Sequence, residues 1–179
     1  ASINPVDTAD YATTLNNTAE AYRLTGNYKD AMSLLDKGID LVEHAREKDE
    51  LSLATMYNNL GLCYKNIGDY KSAEDVNDKS IAIYQKLKLE YSPDYSTSLN
   101  NQAELYRELG RYKQADDLLK KVLFIREQSI GTKHQNYANA LVNLSNLLVN
   151  EGLYEEAEPH LLKAKAIYKE TLGEEHPFY

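Results

Sequence analysis

The chain lacks tryptophan, has a single cysteine (Cys63), and is short of basic residues, with 20 Lys and Arg against 28 Asp and Glu. One cysteine excludes an internal disulfide and makes a reducing compartment the easier reading. No apolar run approaches the roughly 20 residues needed to cross a bilayer, and no charged-then-apolar signal segment opens the chain. A cytoplasmic protein is therefore expected. The formal net charge of −8 argues against nucleic acid and anionic membranes as partners, since both want a basic surface. No glycine-rich phosphate loop is present. The four histidines, His44, His134, His160 and His176, have no second histidine or cysteine at metal-ligand spacing. No metal, cofactor or catalytic residue is expected, and the chain does not read as an enzyme.

What is present is a folded composition and a period. Hydrophobic residues make up 42% and charged residues 27% of 179 positions, values of a folded chain long enough for one domain with a sizeable core. It opens on Ala1 without methionine, and a piece of a longer protein is expected. The 15 tyrosines are not scattered. Gly26-Asn27-Tyr28, Gly68-Asp69-Tyr70, Gly110-Arg111-Tyr112 and Gly152-Leu153-Tyr154 recur at a constant step of 42 residues. Ala31, Ala73, Ala115 and Ala157 keep that step, as do Asn17, Asn59, Asn101 and Asn143, and Tyr22, Tyr64 and Tyr106 with Leu148 in the fourth place. Tyr11, Tyr95, Tyr137 and Tyr179 form another register, broken at Leu53. Four internal repeats follow, at about 9–50, 51–92, 93–134 and 135–176.

Each unit reads as two helices. Leu15, Ala19, Tyr22 and Gly26 share a helical face, and Gly26 supplies the left-handed residue that ends the first helix. Tyr28 starts the second, which carries Ala31, Leu34, Leu35, Gly38 and Leu41 at helical spacing. Ala19, Gly61, Ala103 and Ser145 lie where the two helices cross, and a larger residue would push the axes apart. The helices are predicted at about 9–25, 28–47, 51–67, 70–89, 94–109, 112–130, 135–151 and 154–172. No segment alternates like a strand, so the fold class is all-α.

The pattern of Gly61, Tyr64, Gly68, Tyr70 and Ala73 resembles the tetratricopeptide repeat, whose usual unit is about 34 residues. The longer step here, Leu99-Asn100-Asn101 in a first helix, Tyr154-Glu155-Glu156-Ala157-Glu158-Pro159 in a second, and the closing Leu172-Gly173-Glu174-Glu175-His176-Pro177 are similar to the kinesin-light-chain branch. The resemblance covers nearly the whole chain from about Asp7. It implies a right-handed superhelical solenoid whose first helices line a concave groove. There are departures. Thr18 and Gln102 stand where Leu60 and Leu144 keep a leucine, and Asn77 stands where Leu35, Leu119 and Leu161 are bulky. Weaker local packing, or additional contacts, is expected there.

At about 100° per residue, the face of the first helices opposite the core holds Thr13, Asn17, Glu20 and Leu24; Thr55, Asn59, Leu62 and Asn66; Thr97, Asn101, Glu104 and Glu108; and Asn139, Asn143, Asn146 and Asn150. An asparagine amide can pair with both the C=O and the N–H of an extended backbone. The resemblance implies that contact for Asn17, Asn59, Asn101 and Asn143, which precede the small residue by two. The other role open to them is bonding within the array, tying adjacent helices together. Arg23, Lys65 and Arg107 run along one edge, and Glu20, Glu104 and Glu108 lie within the face. The candidate peptide-binding set is thus Asn17, Glu20, Arg23, Asn59, Lys65, Asn66, Asn101, Glu104, Arg107, Asn143, Asn146 and Asn150. The mixed charge does not suit a clamp for a terminal carboxylate.

The expected function is a scaffold or adaptor holding an extended partner segment in the groove. The alternative is a regulatory or sensory domain of a larger protein that binds an attached domain or a signalling peptide. His134 and His176 are one period apart and read as turn builders, Cys63 as a small core residue. A polar capping helix is not evident. The last helix, around Leu161, Leu162 and Ile167, is expected to expose apolar surface or to self-associate through it.

Overall fold

The computed structural model describes residues 5–173; His176, Tyr179 and the rest of the closing loop after Gly173 lie outside them. Among the described residues there are eight helices and no strand: α1 (Pro5–Leu24), α2 (Tyr28–Glu43), α3 (Glu50–Asn66), α4 (Tyr70–Lys86), α5 (Pro93–Glu108), α6 (Tyr112–Ser129), α7 (Gln135–Asn150) and α8 (Tyr154–Leu172). All eight helices predicted from the period are present. α2 stops at Glu43 and not near residue 47, because Arg46-Glu47-Lys48-Asp49 is exposed and offers nothing to bury. Asp49 instead caps α3, accepting from the Ser52 amide at 3.1 Å.

The Gly-x-Tyr register is the turn inside each hairpin. α1, α3, α5 and α7 each end two residues before Gly26, Gly68, Gly110 or Gly152, whose φ values are +81°, +83°, +70° and +79°. The residue after each glycine donates to the carbonyl of Tyr22, Tyr64, Tyr106 or Leu148 at 2.8–2.9 Å. The glycine itself donates to the carbonyl of the next residue along at 3.0–3.1 Å. This double closure is the Schellman motif, and it needs a residue at positive φ. Tyr28, Tyr70, Tyr112 and Tyr154 then open the second helices.

The chain divides into two compact units, the first ending at Leu89 and the second starting at Glu90. Each holds two helical hairpins. In the first unit α1 pairs with α2 and α3 with α4, with α3 also packed on α1 and α2. In the second, α5 pairs with α6 and α7 with α8, and α7 packs on α5 and α6. Small residues sit at the hairpin crossings: Ala19, Ala31, Ala73, Ala103 and Ala115 are fully buried. Ser145 at the equivalent place in α7 satisfies its hydroxyl on the Leu141 carbonyl at 2.8 Å.

The departures have local explanations. Asn77 is buried opposite Gly61, and a Cβ on Gly61 would stand 2.1 Å from the Asn77 amide oxygen. Repeat 2 therefore pairs a glycine with an asparagine where repeats 1 and 3 pair Ala19 with Leu35 and Ala103 with Leu119. Thr18 is not in the core at all; it is exposed on α1 and donates to the Thr14 carbonyl at 2.8 Å. Gln102 is buried and donates to the Tyr106 hydroxyl at 3.0 Å. The tyrosine register broken at Leu53 is repaired one turn on. Lys37, Lys121 and Lys163 lie over the rings of Tyr11, Tyr95 and Tyr137, and Lys79 lies at the same distance over Tyr57. On α8, Leu161 and Leu162 are exposed as expected from the last helix, whereas Ile167 is buried with Leu141 and Tyr168.

Candidate binding face and polar pocket

In the first unit, Asn17 is exposed on α1, and Asn59 is half-buried on α3. Asn59 donates its Nδ2 to Asn16 Oδ1 at 2.9 Å, a bond from the first helix of repeat 2 to that of repeat 1. Glu20 and Arg23 pair with one another on α1, through two bonds of 2.6 and 2.8 Å. That bond to Glu20 is the main reason the Arg23 pKa is raised. Lys65 is half-buried, and Asn66 is exposed at the last residue of α3.

The second unit repeats the asparagine tie. Asn143 donates to Asn100 Oδ1 at 2.9 Å and to Glu104 Oε1 at 3.0 Å, and Asn100 donates to the same Glu104 oxygen at 3.0 Å. Asn101 is buried. At the far end of the same seam Asn150, with its amide turned to satisfy both neighbours, accepts from Arg107 Nη1 and donates to the Asn146 carbonyl, each at 3.2 Å. Asn146 itself is exposed. Of the two roles open to the asparagines, tying helices together is thus seen for Asn59 and Asn143. Their amide oxygens take no part in those bonds. The acceptors, Asn16 and Asn100, were not among the sequence candidates; the signal was the asparagine that directly precedes Asn17 and Asn101, which receives what Asn59 or Asn143 of the next repeat gives.

Between α5 and α7 this seam opens into a cavity of about 680 Å³. Thr97, Asn100 and Glu104 form one wall, Asn139 and Asn143 the other, with Arg126 of α6 and Tyr168 of α8 reaching in from behind. Tyr168 donates to Asn139 Oδ1 at 2.6 Å. Arg126 is only 4% exposed. Its Nε donates to Ser96 Oγ at 3.1 Å and its Nη1 to the Asn136 carbonyl at 2.6 Å. Burial lowers its pKa to about 10, against a smaller opposing effect of the Glu104 carboxylate. The sequence reading missed Arg126 and Ser96.

The residues set aside in the sequence take structural places. His134 caps α7, its Nδ1 accepting from the Asn136 amide at 3.0 Å. Cys63 is fully buried, and burial raises its thiol pKa to about 11, so it carries no thiolate at neutral pH. Among the described residues no group of three or more His, Cys, Asp or Glu side chains is placed to hold a metal ion. No described helix is long and apolar enough to cross a membrane.

The family model for the tetratricopeptide repeat matches residues 10–86, 52–128 and 94–170, three overlapping windows that advance by one period. The chain belongs to the tetratricopeptide-repeat family. No curated protein sequence matches it. Among solved structures, this tetratricopeptide array is similar to that of BtubC (BKLC) from P. vanneervenii, with a TM-score of 0.85 and 20% identity over 97% of this chain and 68% of that one. A putative kinesin light chain from Podosopora anserina with nearly identical repeats gives 0.75 and 23% over 93% and 79%. The apo form of RapI gives 0.77 and 18% over 90% and 57%. At these identities the likeness is one of fold, an all-α repeat with kinesin-light-chain-like members. Tetratricopeptide repeats are in general protein–protein interaction scaffolds and typically not enzymes.

Proposed function

We propose that the chain is one four-repeat array that binds an extended segment of a partner protein along the asparagine-bearing faces of α1, α3, α5 and α7. The observation that carries this reading is the cavity between α5 and α7, where Asn143 and Glu104 line open space large enough for a ligand. A purely structural seam has no need of a cavity. The Asn59 and Asn143 Nδ2 groups hold the first helices together, and the amide oxygens are left to accept from a partner's backbone N–H. Backbone pairing gives affinity with little sequence preference, and the charged residues around the seam add selectivity. The mixed signs, Arg107 with Glu104 and Arg23 with Glu20, suit a partner of mixed charge. A location in the cytoplasm fits a buried, reduced Cys63.

The test is capture of partners from a cell lysate by the chain and by a variant with Asn17, Asn59, Asn101 and Asn143 all changed to alanine, with circular dichroism on both. The expected result is a set of captured proteins lost by a folded variant. Capture of the same set by both would place the contact elsewhere.

A further inference from the structure

α8 departs from the other second helices in a way that the want of a following repeat does not explain. Leu161 falls in the register of Leu35, Asn77 and Leu119, all buried at 2% exposure or less, and is itself 41% exposed. Another repeat would cover that place. Leu162 is different. Its register holds Asp36, Asp78 and Lys120, all exposed, and Asp36 and Lys120 stay exposed although a further repeat follows each in the same unit. Leu162 is 59% exposed, and a following repeat of the same kind would leave it in water. Lys165 departs in the opposite sense. Its register holds Ile39, Ile81 and Leu123, which are buried or half-buried, so a following repeat would press on an ammonium there. The face of α8 is shaped for a different cover.

At about 100° per residue, Tyr154, Glu158, Leu161, Leu162, Lys165 and Lys169 fall on one side of α8, and all six are exposed. Along the helix they read aromatic, acid, leucine, leucine, base, base. That order is complementary to its own reverse. Two copies of α8 laid antiparallel, crossing between Leu161 and Leu162, bring Leu161 of each onto Leu162 of the other. The same alignment sets Glu158 opposite Lys165 and the Tyr154 ring opposite Lys169. A two-fold axis makes every one of these contacts twice, and the helix dipoles run in opposite directions. Stacking end to end offers no such match. Thr14, Thr18 and Ala21 are exposed on α1 at the register of Met56, Leu60 and Cys63, which are buried in the core of the first unit. The α1 of one copy therefore gives the leucines of α8 on another little apolar surface to meet.

We propose that this face of α8 is a self-association surface, and that it is covered by the same face of a second copy of the chain, antiparallel about a two-fold axis. Leu161 and Leu162 form its apolar centre, and the Glu158–Lys165 pairs on either side fix direction and alignment. The surface lies on a second helix, and it does not depend on the partner binding proposed above for the first helices.

The test is sedimentation equilibrium of the full chain from about 1 to about 500 μM, a range set by the small size of a single helix-pair interface. A monomer–dimer equilibrium without larger species is expected. L162D copies the exposed Asp36 and Asp78 of repeats 1 and 2, keeps the fold by circular dichroism, and is expected to weaken the dimer at least about tenfold. E158K and K165E each set like charges opposite one another across the axis, and each is expected to weaken it by about tenfold. An equimolar mixture of these two variants is expected to recover the dimer, because each helix then meets its opposite. Altered folding of either variant cannot produce that recovery, and should one of them fail to fold, L162D decides. A chain that stays monomeric throughout overturns the proposal and leaves the face to a different partner. Open-ended oligomers, a dimer that L162D leaves unchanged, or a mixture of folded variants that stays monomeric overturns it as well.

Discussion

Gly61 and Asn77 show how closely a single side chain is bound to its neighbour in this fold. A methyl group on Gly61 would meet the Asn77 oxygen at 2.1 Å, so G61A is expected to cost about 1–3 kcal/mol through overpacking. The double variant G61A/N77L copies the Ala–Leu pair of repeats 1 and 3 and removes a buried amide oxygen that has no partner. It is expected to recover that loss, with a coupling above about 1 kcal/mol by urea denaturation. Simple additivity of the two single variants would show that the pair does not interact. Asn77 was recognisable in the sequence as a departure, but not as a fit, because register says which positions correspond and not which side chain enters which space. The same limit hid Arg126. Its place in the period was readable, yet its burial and its bond to Ser96 depend on where α6 meets α5.

At the scale of the element, the helix ends follow from the period and the middles do not. All four first helices stop by the same two backbone bonds around a glycine at positive φ. The end of α4 shows the cost of doing without one. Lys88 holds φ at 57°, with Lys88 N–H on the Gln85 carbonyl and Leu89 N–H on the Tyr84 carbonyl. A left-handed lysine is strained by its Cβ, so K88G is expected to raise stability by up to about 1 kcal/mol. G68A, where no atom lies within 4 Å of the new Cβ, should lower it by a similar amount for the same conformational reason. Thermal melting of both variants checks this, and a destabilised K88G would contradict it. The eight helices were legible because glycine, tyrosine and alanine mark boundaries with fixed chemistry. The asparagine seam was only half legible: the face could be read from 100° steps, but the acceptors Asn16 and Asn100 lie one residue off that face.

For the whole molecule, four copies of one hairpin make a tetratricopeptide array, and the proposed binding face draws both on the asparagines the copies share and on residues they do not. The shared glycines, tyrosines and alanines are spent on turns and crossings, and of the shared asparagines Asn59 and Asn143 also tie first helices together. The unshared ones, among them Arg126, Ser96 and Asn139, gather around one cavity. The central claim is that a partner lies along the first helices and not along the second. Site-specific photo-crosslinking tests it most directly, with the photoreactive residue placed in turn at Asn17 and Asn146, exposed on α1 and α7, and at Lys71 and Lys113, exposed on α4 and α6. The account predicts partner adducts from the first pair and none from the second. Adducts formed only from Lys71 and Lys113 would contradict it.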